Sequence, residues 1–298
     1  MKVRIKFQKY GAMKFIGHLD VMRYFQKAFR RAGVDNEYTK GFSPHQIMSF
    51  AAPLGVGLTS DGEYLDVSLL SSDEPEVMIK RMNEVLTEGF RIIGFRFLKD
   101  REENKKAVTA MSLVSSADYL VSLKDGYLVS PTIDTQEKFQ KAFLSFMKQK
   151  EIIIDKKTKK SEMSVDIKPM ITMVAFDEVE YTEKLKSLIK EDTTYVENQW
   201  NTENISDTEN YSHTENTIHY YNKSKPESMA DRYDNGIKVY LQLHTGSSAN
   251  LKPELVLEAF CNYLKVSYQE FAWQMHRLEV YTREEETGLL TALDQLEQ

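Results

Sequence analysis

Val3, Ile5 and Phe7 alternate with Arg4, Lys6 and Gln8, the two-residue period of a strand with one buried face and one wet, basic face. From His18 to Ala32 the period lengthens. Leu19, Met22, Phe25, Ala28, Phe29 and Ala32 make one apolar stripe, with Arg23, Lys27, Arg30 and Arg31 largely opposite it. Asp20 in the first turn suits the helix dipole, and Gly33 is a natural stop. Residues 36–52 read as strand, turn, strand, punctuated by Gly41 and Pro44. Leu65, Val67 and Leu69 mark a further strand. Asp73 then caps a helix striped by Met78, Ile79, Met82, Val85 and Leu86, and Ile93, Phe95 and Phe97 close the set. The order βαββαβ over residues 1–100 predicts an α+β, ferredoxin-like unit with its helices on one face of an antiparallel sheet.

The second half repeats the theme. After a charged linker over 101–116, Tyr119, Val121 and Leu123 read as a strand, and Phe139, Ala142, Phe143, Phe146 and Met147 as a helix opened by Asp134. Ile152–Ile154, Val239–Leu243 and residues near Arg277–Tyr281 read as strands, and Leu255, Val256, Ala259, Phe260 and Tyr263 as a helix stripe. These predict a second ferredoxin-like domain over 117–284 with a short C-terminal tail, 285–298. Within it, about 180–235 reads as a flexible acidic insertion. Residues 191–235 hold ten Asp/Glu against three Lys/Arg and recurring Thr-Glu-Asn, too polar to offset the entropy of ordering. Its aromatics Trp200, Tyr211, Tyr220 and Tyr221 leave partner binding open.

Composition narrows the class. The 298 residues are 41% hydrophobic, enough for real cores, and no run approaches a membrane span. The charged and apolar residues of the first strand do not form a secretory signal, so a cytoplasmic protein is expected. The lone Cys261 excludes an intramolecular disulfide, a cysteine-based zinc knuckle and a self-contained iron–sulfur cluster; it reads as a buried thiol. Neither a metal nor another cofactor is expected. The net charge is −6, yet residues 1–50 carry ten Lys/Arg against three acids, so the positive charge is local.

That asymmetry directs attention to an anionic partner. Arg4, Lys6, Arg23, Lys27 and Lys40 are the candidate phosphate contacts, weighed against a merely solvated charged face. His18, Ser43 and His45 flank turns and suit recognition of a sugar, base or substrate edge. An alternative makes His18 and His45, with Asp20, an acid–base group. No third ligand stands near enough in sequence for a metal. Lys40-Gly41-Phe42 is similar to the opening of an RNA-recognition strand, but Pro44 breaks that match and leaves a loop plugged by Phe42. Gly246, Ser247 and Ser248 precede a helix and can hold an anion, although they lack the Walker ending; simple capping by Asn250 competes.

Several segments, taken together in order and spacing, resemble one family. They are Phe15-Ile16-Gly17-His18-Leu19-Asp20, Ala28-Phe29-Arg30-Arg31-Ala32-Gly33, Gly41-Phe42-Ser43-Pro44-His45, Ser49-Phe50-Ala51, Pro53-Leu54-Gly55-Val56-Gly57 and Glu63-Tyr64-Leu65-Asp66. The family is the bacterial radical-SAM-linked domain of unknown function. Val165-Asp166-Ile167-Lys168-Pro169 and Gly246 to Pro253 resemble its later segments. The resemblance implies a partner enzyme that cleaves S-adenosylmethionine at a three-cysteine cluster, which this chain cannot hold. The expected function is an accessory, non-catalytic RNA-binding module acting with that enzyme on RNA or a ribosome-related component. An RNA-processing or small-molecule enzyme and a protein-docking scaffold are the alternatives.

Overall fold

A computed structural model describes residues 1–98, 109–157, 162–190, 226–246 and 249–296. Its first half runs β1 (Lys2–Lys9), α1 (His18–Arg31), β2 (Met48–Phe50), β3 (Thr59–Ser68), α2 (Pro75–Asn83) and β4 (Phe90–Leu98). Neighbouring strands are antiparallel in the order β4-β1-β3-β2. Val21, Phe25, Ala28 and Phe29 form the buried stripe of α1. Gly33, at φ +64°, ends the helix, and the amide of Val34 behind it donates to the carbonyl of Phe29. The stripe packs on Val3, Ile5 and Phe7 of β1, with the rings of Phe7 and Phe25 4.7 Å apart.

The second half comprises α3 (Ala110–Leu113), β5 (Ser116–Leu123), α4 (Gln136–Met147), a separate hairpin of β6 (Ile153–Lys157) and β7 (Glu162–Asp166), and β8 (Ile171–Ala175). There follow α5 (Glu178–Lys186), β9 (Lys238–His244), α6 (Pro253–Leu264), β10 (Trp273–Arg283) and β11 (Leu290–Ala292). The order β10-β5-β9-β8 is again antiparallel throughout. Phe139, Phe143 and Phe146 of α4 pack with Phe260 of α6 over its inner face. Cys261 is buried there, its thiol pushed up to about 11 by burial and by Glu258. The two halves meet where β10 pairs in parallel with the start of β3, His276 opposite Thr59 and Arg277 opposite Ser60. One nine-stranded, mostly antiparallel sheet therefore runs through the described residues, a joint that two tandem domains and a linker did not anticipate.

Several boundaries are corrected. The start of the predicted insertion is the helix α5, capped by Asp177, which accepts from the amide of Glu180, and anchored by buried Tyr181. Residues 191–225 of that insertion and 101–108 of the predicted linker lie outside the described residues. The predicted tail instead pairs as β11 with β10 and buries Leu290 and Leu293, because it carries apolar side chains with a core to join. Helix α4 is capped by Thr135 rather than Asp134. No helix among the described residues is long and apolar enough to cross a membrane.

The largest correction concerns the outer face of β1. It is covered by the C-terminal turn rather than by water. Arg4, 1% exposed, donates to both carboxylate oxygens of Asp66 and to the carbonyl of Leu293. Lys6 pairs with Glu279 at 2.5 Å and with Asp294 at 2.9 Å, and Arg96 donates to the Asp294 carbonyl. Charges removed from water persist only when paired, so this basic face is internal wiring. Replacing Arg4 by Ala leaves Asp66 short of its partner, and we expect a loss of about 3–5 kcal/mol in urea unfolding.

Further along the same face, Asp118 is fully buried and accepts from the hydroxyls of Tyr181 at 2.8 Å and Tyr281 at 3.0 Å. Burial pushes its carboxyl up from 3.8 to about 7, against the opposing effect of those hydroxyls. Between these values the folded chain holds a proton that the unfolded chain has released, so the contribution to stability is full at acid pH and is lost as pH rises to about 7. Asp118→Asn cannot ionise. Its urea midpoint should lose less than that of the wild type between pH 5 and pH 8, the difference giving this carboxyl's share.

Candidate functional site

Three charges stand at inward positions, Lys9 at the end of β1, Glu63 in the middle of β3 and Arg277 in the middle of β10, all at least nine-tenths buried. Each shares the two-residue parity of its strand's core residues, so the sheet turns it toward the helices rather than toward solvent. Arg277 donates Nε to Glu63 at 2.9 Å, and its Nη2 to Glu63 and, at 2.5 Å, to the carbonyl of Ala52. Burial works against this guanidinium's charge, but Glu63 and Tyr119 outweigh it and hold its pKa above the usual value. Lys9 donates to the Ile16 carbonyl at 3.2 Å; burial lowers its pKa, Glu63 opposes and Arg277 adds to the fall.

Beside this cluster, with Arg277 in its lining, opens a cleft of about 590 Å³ between the halves. One wall is the loop before β3, with Ala51, Pro53, Leu54, Val56 and Leu58, together with Met111 and Val114. The facing wall carries Thr245, Gly246, Asn250, Lys252 and Glu254 at the entry to α6, while His18, Tyr119 and Arg277 complete the lining. Gly246 is at φ +150°, and a Cβ there would stand 2.3 Å from the carbonyl oxygen of Val114. This wall exists because the residue has no side chain. A volume of this size is that of a small-molecule or single-residue subsite.

His18 enters from the first turn of α1, its ring edge-on to Phe50 at 5.0 Å. Burial lowers its pKa, with Glu63 opposing, so near neutral pH it offers a hydrogen-bonding ring rather than a cation. The other predicted residues lie elsewhere. Arg4 and Lys6 are paired on the far face of the sheet. Arg23, Lys27 and Lys40 are exposed; Arg23 is bonded to Asp20 at 3.1 Å. His45 closes its own loop, with Nδ1 3.1 Å from the Thr39 hydroxyl and 3.4 Å from the carbonyl oxygen of Ser43. No hydrogen bond, ion pair or ring contact links His18, Asp20 and His45, so an acid–base trio is not assembled. Asp20 and His45 are instead taken by Arg23 and by the Thr39 hydroxyl.

Phe42 does not plug its loop; its ring is fully exposed at the tip, beside exposed Ser43. Gly246 lines the cleft, whereas Ser247 and Ser248 lie outside the described residues. Lys252, not Asn250, holds the cap position of α6, Pro253 removes an amide donor from its first turn, and Glu254 fills that turn with negative charge. An anion is therefore poorly served there. Sequence reasoning missed Lys9, Glu63 and Arg277 as a group, although the signal was present: Phe7 to Lys9, Glu63 to Leu65 and Met275 to Arg277 each continue an inward-facing alternation with a charge. Among the described residues no group of three or more His, Cys, Asp or Glu is placed to hold a metal ion.

These features define a mixed α and β protein whose continuous sheet supports a cleft at the junction of its halves. The chain belongs to the family described as uncharacterized protein conserved in bacteria (DUF2344), which matches residues 2–206. No curated protein matches it. Gly246→Ala should cost about 2 kcal/mol or more in urea unfolding, since both its backbone angle and the Val114 carbonyl oppose a side chain. A neutral result would mean that this wall is not fixed.

Proposed function

We propose that the protein is a non-catalytic RNA-binding module, read as two ferredoxin-like units fused edge to edge, that grips a single strand beside and within the cleft. The observation that carries this reading is Phe15. Its ring is 66% exposed, with the Lys14 ammonium 5.6 Å from its centroid, on a segment tied to the cleft rim through the Lys14 carbonyl and the Gly57 amide. Phe42 supplies a second bare ring next to Lys40. Exposed rings suit single strands, because every base has a face to stack; the Lys14 charge is shared with Asp231, and exposed Lys40 is placed to neutralise a linkage. Arg23, Lys27, Lys40, Ser43 and His45 remain available to phosphates and sugars, and His18 to a base edge. Arg4 and Lys6 no longer belong to this reading. The segment resemblance supports a radical SAM enzyme as the partner whose chemistry would act on the bound RNA.

Titration of a labelled single-stranded RNA at two salt concentrations tests the proposal. Affinity should fall steeply with salt, and Phe15→Ala and Phe42→Ala should each weaken binding by about 1–3 kcal/mol without moving Tm. Absence of binding at low salt, or indifference to both rings, would remove it.

A further inference from the structure

Away from the cleft, the outer face of α1 carries a line of cations with little to balance it. At about 100° per residue, Leu19, Arg23, Lys27 and Arg30 fall within about 80° of arc, opposite the buried stripe of Val21, Phe25, Ala28 and Phe29. All three cations are exposed, and Asp20 is the only acid in the helix. Its pair with Arg23 is open to water on both sides and therefore weak. Among the described residues neither Lys27 nor Arg30 forms an ion pair, and Arg30 spends only its Nε, on the carbonyl of Gln26. Arg31 is turned aside, with its Nη2 bonded to the Val85 carbonyl.

Exposed rings flank this line. Phe15 ends the turn that leads into the helix. Farther along, Gln46 holds the loop of Phe42 beside α1, its side-chain amide donating to the Gln26 carbonyl at 3.3 Å and to the Tyr38 hydroxyl at 3.4 Å. Tyr38, Lys40 and Phe42 of that loop are all exposed. From Leu19 to Arg30 the helix rises about 17 Å, the length of roughly five stacked steps at ~3.4 Å per nucleotide.

Resting on the RNA reading above, we infer that α1 is a rail for an unpaired RNA segment of about five or more nucleotides. Lys27, Arg30 and Lys40 meet its phosphates, and its bases stack on Phe15 at one end and on Phe42 and Tyr38 at the other. A duplex would offer the same phosphates but keep its bases stacked inside, leaving the rings bare. A free nucleotide brings too little charge and length to span the line.

Binding of labelled octauridylate across a salt series tests the rail. Three unpaired cations give a slope of log K against log salt of about −2, at about −0.7 for each phosphate of a single strand. Lys27→Gln combined with Arg30→Gln should bring it to about −0.7 with Tm unchanged, since both side chains are exposed. The octamer should also bind at least about fivefold more tightly than an eight-base-pair RNA duplex, the yield of one stacked ring. A slope that the double variant leaves unchanged, a duplex bound as tightly as the strand, or polyglutamate competing as well as unlabelled octamer overturns the inference, even where Phe15→Ala and Phe42→Ala still weaken the strand and the RNA reading stands. Failure of octauridylate to bind at low salt removes both.

Discussion

The short parallel joint between β3 and β10 is the constraint on which the rest of the structure depends. Only two residue pairs form it, His276 with Thr59 and Arg277 with Ser60, yet it unites the sheets of both halves. Backbone pairing so brief could slip. What fixes its register is polar: Arg277 grips Glu63, His276 Nδ1 stands 2.8 Å from the Thr59 hydroxyl and its Nε2 2.8 Å from Asp61, and Tyr64 donates to Glu279 at 2.6 Å. Gly62 permits the approach, for a Cβ there would meet the backbone of Leu278 and Glu279 at 2.9 Å. Buried ion pairs add little net stability over apolar packing but penalise every arrangement that breaks them, which suits a seam that must have one alignment.

The seam is laced on both sides by segments remote in sequence. Residues 226–235 bridge the halves: Gln8 donates to the Glu227 carbonyl, Asp61 accepts from Ser228 and from the Met229 amide, Lys14 pairs with Asp231, and Asp125 accepts from the amides of Asp234 and Asn235. Burial alone would raise the Asp61 carboxyl, but His276 and these donors hold it below its usual value. On the far face the turn at Leu293 and Asp294 collects Arg4, Lys6 and Arg96. Apolar contact joins in as well, since Ala51, Leu54 and Leu58 leave the first core and pack into the second. The wall of the cleft is therefore held by the same contacts that hold the halves together.

Much of this fold was legible because periodicity reports burial. The stripe of α1 and the alternation of β1, β3 and β4 needed no tertiary information. The failures share a cause. Arg4 and Lys6 occupy outward positions of β1, and local pattern cannot reveal that a turn nearly 290 residues later covers them. The same holds for β10, whose neighbours β3 and β5 are set by sheet order rather than by sequence distance. His18 was placed near a site by its turn position, but the residues it shares the cleft with, Tyr119, Glu254 and Arg277, come from the other half. Charges at inward parity, Lys9, Glu63 and Arg277, were the readable clue to a buried polar floor.

A floor whose charges satisfy one another has a consequence for recognition. Of Lys9, Glu63 and Arg277, it is Arg277 that lines the cleft, and its donors are already taken by Glu63 and Ala52, so a ligand gains little by reaching it and would have to displace buried bonds to do so. Selectivity then falls to groups that line the walls, the neutral ring of His18 on one side and Asn250 on the other. Because these two stand on different halves, the joint at β3 and β10 fixes the distance between them. A change in the seam would act on binding even where it touches no ligand, since two hydrogen-bonding groups recognise a rigid edge only at one separation.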